Sequence, residues 1–143
     1  MSDFVVDASV AVKWFLPEIH ATAALRLLHQ DNALLVPDLL FSEIGNVLWK
    51  RVQRGQATVG AAGAVLGALA AVPLQVHPSQ ALIPLAFEIA CRSRRSVYDS
   101  TYLAVAMLRH CPLVTADRRL YDSLQAGGFA PLVVWVEDAT PGP

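Results

Sequence analysis

Long apolar runs, paired cysteines and an excess of either charge are all missing from this chain. Its most membrane-like stretch, AAGAVLGALAAV at residues 61–72, is stopped by Pro73, well short of the roughly 18 to 20 apolar residues that a spanning helix needs. The two cysteines, Cys91 and Cys111, make no C-x-x-C spacing and fall in apolar helical contexts. They read as reduced core thiols, not as a disulfide or a zinc site. Four scattered histidines form no H-x-x-x-H pair, which removes the usual support for transition-metal ligation. Lys plus Arg number 11 against 12 Asp plus Glu, a net charge of −1. A polyanionic partner must therefore be held locally, by a patch or by metal ions. No basic segment leads into a long apolar one at the N-terminus, so the expected location is the cytoplasm.

What is present is a hydrophobic fraction of 55% in 143 residues, enough to bury a real core in one domain of ordinary size. That domain is expected over 1–138, with the tail ATPGP, 139–143, frayed. Apolar runs of strand length, FVV, LLV, LQV, LVT and LVVWV, alternate with helical patterns, which predicts an α/β fold with a short, mainly parallel sheet and helices on both faces. The small-residue helix carrying Gly60, Gly63 and Gly67 is expected to pack closely against a neighbour, inside the chain or in a partner.

Four acids stand out from this framework. Asp7 ends the FVV strand and Asp117 follows LVT by one residue, so both fall at the carboxyl edge of the sheet, where ligands bind in open α/β folds. Each is also a plausible helix N-cap. Glu43 lies on or beside the apolar stripe of LLFSEIGNVLWKR, three and four residues from Leu39, Leu40, Asn46 and Val47, and a carboxylate there needs a partner. Asp99 opens a helix whose next turns carry Tyr102, Leu103 and Ala106, at that helix's positive end. Like charges about 4 Å apart cost about 4 kcal/mol at an effective dielectric near 20, so such a cluster calls for cations or bound protons. Oxygen-only ligands select hard ions such as Mg²⁺ or Mn²⁺, and a pair of these can activate water and stabilise the leaving oxygen of a phosphodiester.

The ordered set VVDASV, FSEIGNVLWK, VYDSTYLAVA and VTADRRL resembles the PIN-domain ribonucleases, and most closely the VapC-type toxins of toxin–antitoxin pairs. The resemblance spans nearly the whole chain and includes E-x-x-N-V-L at Glu43 to Leu48 and T-x-D at Thr115 to Asp117. It implies a three-layer α/β/α, Rossmann-like domain and Mg²⁺- or Mn²⁺-dependent cleavage of RNA, with Asp7, Glu43, Asp99 and Asp117 as catalytic metal ligands. It also implies a homodimer and a small VapB-type antitoxin.

Beside these acids, Ser9, Asn46 and Thr115 are candidates to hydrogen-bond a carboxylate or a bound water, with turn formation or capping as the alternative for Ser9 and Thr115. Arg92, Arg94, Arg95, Arg118 and Arg119 could contact RNA phosphates if they reach the rim of the cleft. A haloacid-dehalogenase-type phosphatase would want a second Asp where Ser9 stands. A phospho-receiver would want a late lysine, and the lysines here are Lys13 and Lys50. A PIN fold kept only for binding is the remaining alternative, separated from an enzyme by metal-dependent turnover of RNA.

Overall fold

The computed structural model describes residues 2–139. Five parallel strands form one sheet in the order β3-β2-β1-β4-β5, where β1 is Ser2–Val6, β2 Asn32–Pro37, β3 Leu74–His77, β4 Leu113–Thr115 and β5 Val133–Trp135. The register runs Val5 to Leu35 on one side and Val5 to Leu113 on the other. Val5, Val6, Leu35, Val36, Leu113 and Val114 are wholly buried, which is why the central strands read as continuous apolar runs and not as alternating ones. β3, at the edge, has Gln75 and Val76 exposed.

Seven helices complete the described residues: α1 Ala8–Ala11, α2 Ala21–Arg26, α3 Leu39–Gln53, α4 Val59–Ala71, α5 Ser79–Ser93, α6 Val97–Arg109 and α7 Arg118–Gln125. Right-handed crossovers place the β1–β2 and β2–β3 connections on one face and the later ones on the other. The contacts agree. α1 packs on α2 and α3, and α3 on α4, whereas α5 packs on α6, which lies against β1, β2 and β4. This is the expected three-layer arrangement. α3 buries Leu40, Ile44 and Leu48, and α5 buries Leu82, Ala86 and Ile89, both at the spacing of a helical stripe.

Two expectations are corrected, the end of β5 and the burial of Cys91. The segment after β1 is one turn of α-helix continued by a 3₁₀ turn, Val12–Trp14, and the stretch after Trp135 turns into a 3₁₀ segment instead of extending β5. Cys91 is exposed on α5 while Cys111 is buried, because Cys91 falls two residues beyond the buried stripe that ends at Ile89. α4 buries only Ala62 and Leu69, and a Cβ added at Gly60, Gly63 or Gly67 would meet nothing within 4 Å. Of the two neighbours the sequence allowed for this helix, inside the chain or in a partner, the described residues of the chain itself do not make the close approach. Of the tail expected to fray, Ala139 is buried and 140–143 lie outside the described residues.

Leu103 is fully buried on α6, and Val59 at the start of α4 is 75% exposed. Leu103→Ala should cost about 2–5 kcal/mol in urea denaturation, and Val59→Ala less than about 0.5 kcal/mol. Equal costs would contradict this placement of the core.

Candidate active site

Asp7, the residue after β1, is held at the sheet edge by its backbone. Its N–H donates to Val114 of β4 at 3.1 Å, and its carbonyl accepts from Val10 and Ala11 as α1 begins. Its side chain makes no cap to α1. Instead Oδ2 accepts from the Ser9 hydroxyl at 2.7 Å and the Thr115 hydroxyl at 2.8 Å. Each hydroxyl in turn accepts a backbone amide: Ser9 from Ala116 at 3.0 Å and Thr115 from Asp117 at 3.0 Å. Both hydroxyl protons are thereby committed to Asp7, and β1 is tied to the loop that carries Asp117.

The other acids are gripped differently. Glu43 Oε1 accepts from the Tyr102 hydroxyl of α6 at 2.7 Å. Asp117 does cap its helix, with Oδ1 accepting from the amides of Arg119 and Leu120 at 3.0 and 3.2 Å. Asp99 does not cap α6. Ser96 takes that role, accepting from the Asp99 amide at 3.1 Å, and Asp99 Oδ2 accepts from Arg95 Nε at 3.1 Å and Nη2 at 2.8 Å. α5 ends at Arg94 in the left-handed conformation, φ 60°, and this short turn brings Arg95 and Asp99 together at the start of α6.

All four acids line one cleft of about 290 Å³, together with Ser9, Val12, Asn46 and Val47. In each, one carboxylate oxygen is hydrogen-bonded and the other has no protein partner among the described residues. Burial first, and the crowding of negative charge after it, raise the proton affinities. Burial pushes the Asp7 carboxyl upward, opposed by the Ser9 and Thr115 hydrogen bonds and reinforced by Asp99 and Asp117. Glu43 is raised from about 4.5 to about 7, first by burial and then by Asp7 and Asp99, against the Tyr102 hydrogen bond. Burial and the two neighbouring carboxylates likewise raise Tyr102, so its hydroxyl stays a donor.

Four free oxygens, with no sulfur or imidazole lining the cleft, suit a hard divalent cation. Among the described residues no three His, Cys, Asp or Glu side chains stand close enough together to hold an ion as they are. The donor chemistry fits such an ion, with closure of the carboxylates or further oxygen ligands completing its shell.

Of the supporting candidates, Ser9 and Thr115 contact Asp7, while Asn46 lines the cleft without a hydrogen bond among the described residues. The arginines part company. Arg95 holds Asp99. Arg118 stacks 3.8 Å over the Trp135 ring, Arg119 and Arg94 are exposed, and Arg92 lines a different cavity of about 620 Å³ with Met107 and Phe129. The Tyr102 to Glu43 bond was not anticipated, nor was the clamp in which Glu18 accepts from the buried Lys13 at 3.3 Å and from Arg51 at 2.9 Å. That clamp fixes the segment after α1 to α3, and so fixes Asp7 relative to Glu43.

Residues 4–123 match the PIN domain, and the chain belongs to the PIN-domain family. Among its curated relatives is ribonuclease VapC3 of Pyrobaculum aerophilum, 33% identical over 124 residues that cover 85% of this chain and 95% of the relative. Among solved structures, PAE2754 from Pyrobaculum aerophilum superposes with a TM-score of 0.72 at 25% identity, covering 95% of this chain and 85% of that one. VapBC2 from Rickettsia felis, bound to a DNA fragment from their promoter, gives 0.62 at 12% identity, covering 93% and 98%.

The raised proton affinity of Glu43 sets a pH dependence. Between about 4.5 and about 7 the folded chain binds more protons at Glu43 than the unfolded chain does, so the contribution of Glu43 to stability falls as pH rises through that window, against a smaller opposite contribution from His77, whose proton affinity burial lowers. The melting temperature of metal-free protein should therefore drop between pH 5 and 7.5. Glu43→Gln should flatten that drop, and an unchanged pH profile in Glu43→Gln would contradict the raised proton affinity of Glu43.

Proposed function

We propose that this chain is the ribonuclease toxin of a VapBC-type toxin–antitoxin pair. In this reading one PIN domain, 1–138, hydrolyses RNA phosphodiester bonds in the cytoplasm with Mg²⁺ or Mn²⁺ held by Asp7, Glu43, Asp99 and Asp117. The observation that carries it is the cleft of four carboxylates, each pinned at one oxygen and open at the other. The ribonuclease name of the VapC3 relative supports the substrate class, and the VapBC2 assembly supports the kind of partner.

A divalent cation bound there supplies the positive charge that activates water and offsets charge on the phosphate in an in-line displacement. The chain's own contribution is to hold the donors still: Ser9 and Thr115 fix Asp7, Tyr102 fixes Glu43, and the α7 amides fix Asp117. Ser9 donates its proton to Asp7 and accepts the Ala116 amide, so in this reading it positions Asp7. In this reading water attacks phosphorus directly, with no covalent enzyme intermediate. Arg118, stacked on Trp135 and paired with Asp122 at 3.9 Å, and the exposed Arg94 and Arg119 are candidates in this reading to meet RNA phosphates.

Purified protein should cleave RNA with Mg²⁺ or Mn²⁺ and stop in EDTA. Asp7→Asn and Asp99→Asn should each lose at least about a hundredfold in rate, in the range of lost transition-state charge stabilisation. Full activity in EDTA would sink the mechanism.

For the antitoxin, the apolar groove between α3 and α4, about 340 Å³ and lined by Leu48, Trp49, Val59, Ala62 and Leu66, is the docking surface in this reading. Trp49 there is 58% exposed. The homodimer would use other uncovered apolar residues, such as Ile83 and Phe87 on α5. Trp49→Glu should weaken antitoxin binding in calorimetry by more than tenfold and leave sedimentation as a dimer unchanged. Loss of the dimer with intact antitoxin binding would reverse the two assignments.

A further inference from the structure

Three of the four acids in the cleft are gripped by neutral donors: hydroxyls on Asp7, a phenol on Glu43 and backbone amides on Asp117. Asp99 alone is gripped by a cation. Both contacting nitrogens of Arg95 point at the same oxygen, Oδ2, and the pair is partly buried, with 27% and 28% of the side chains exposed. Arg94, one residue away, is exposed and has no ion pair among the described residues. Arg95 is therefore neither a loose surface charge nor part of a general basic patch.

We infer that Arg95 is a built-in counter-ion of the cleft, whose guanidinium sets a low resting affinity for divalent cations by occupying Asp99. This rests on the metal-binding role proposed for the four carboxylates. The physical reason is the repulsion among them: a cation held within the protein relieves it before any ion arrives, and an arriving ion must then enter against a like charge. Arg95 also keeps Asp99 drawn toward the α5–α6 turn, consistent with the absence of a ready three-ligand nest among the described residues. Guanidinium binds phosphate as readily as carboxylate. An RNA phosphate entering the cleft can take Arg95 over and release Asp99, which makes tight ion binding conditional on substrate.

The inference fixes a sign that a purely positioning role does not share. Were Arg95 only an orienter of Asp99, its removal would loosen Asp99 and weaken ion binding. As a counter-ion, its removal should tighten it. Mn²⁺ affinity, read in RNA-free protein by calorimetry or by the spin-resonance signal of free Mn²⁺, should improve about fivefold or more in Arg95→Met, the scale of a partly exposed ion pair. Arg95→Lys, which keeps the charge, should stay close to the parent, and Arg94→Met should change affinity less than twofold. Weaker binding in Arg95→Met, or equal tightening in Arg95→Met and Arg94→Met, overturns the counter-ion role while leaving the metal site standing. If none of the proteins binds Mn²⁺ at millimolar concentration, both the counter-ion role and the metal-dependent reading fall. Circular dichroism of each variant checks that the fold is kept.

Discussion

The site depends on a buried carboxylate held by two hydroxyls. Taking Asp7 out of water without a cation beside it is costly, and the Ser9 and Thr115 donors offset only part of that cost, since burial still raises its proton affinity. The same two hydroxyls accept the amides of Ala116 and Asp117. The loop after β4 is thus shaped by the need to satisfy Asp7. One polar knot fixes two of the four acids, and it sits where β1 and β4 run side by side.

Around that knot the remaining acids are positioned by longer-range means. Glu43 comes from α3 and is met by Tyr102 of α6, while the Lys13–Glu18–Arg51 clamp sets how α3 lies against the segment after α1. Asp99 arrives at the start of α6 because α5 ends in a left-handed residue and Ser96 caps the next helix. Each acid is supported by a different local device, yet all four line the same cleft with one oxygen unbonded among the described residues. Helix capping accounts for Asp117 alone among the four.

Much of this was legible from residue order. Strand-ending Asp7 and Asp117 are marked by apolar runs that stop at a carboxylate, and Glu43 by its place beside a buried stripe, signals that depend only on local periodicity. The partners were not legible, because they are distant in sequence: Tyr102 lies 59 residues from Glu43, and Arg51 lies 33 from Glu18. A run such as RSRRS shows charge but not direction. Arg92, Arg94 and Arg95, within four residues of one another, end up lining a separate cavity, exposed and bonded to Asp99 respectively. α4 was legible only in part for the same reason, since small residues announce that something can come close without saying whether the chain itself supplies it.

The strand order has a consequence independent of any side chain. From β1 the chain moves outward to β2 and β3, then returns past its starting point to β4 and β5. Two neighbouring strands at the middle of the sheet therefore send their onward connections to opposite faces, and the parting of those paths leaves a crevice by geometry alone. The carboxylates occupy an opening that the chain's route had already made. The hollow follows from the route of the chain and not from the side chains that line it, so a scaffold of this kind can change what it does at that spot without relearning how to fold.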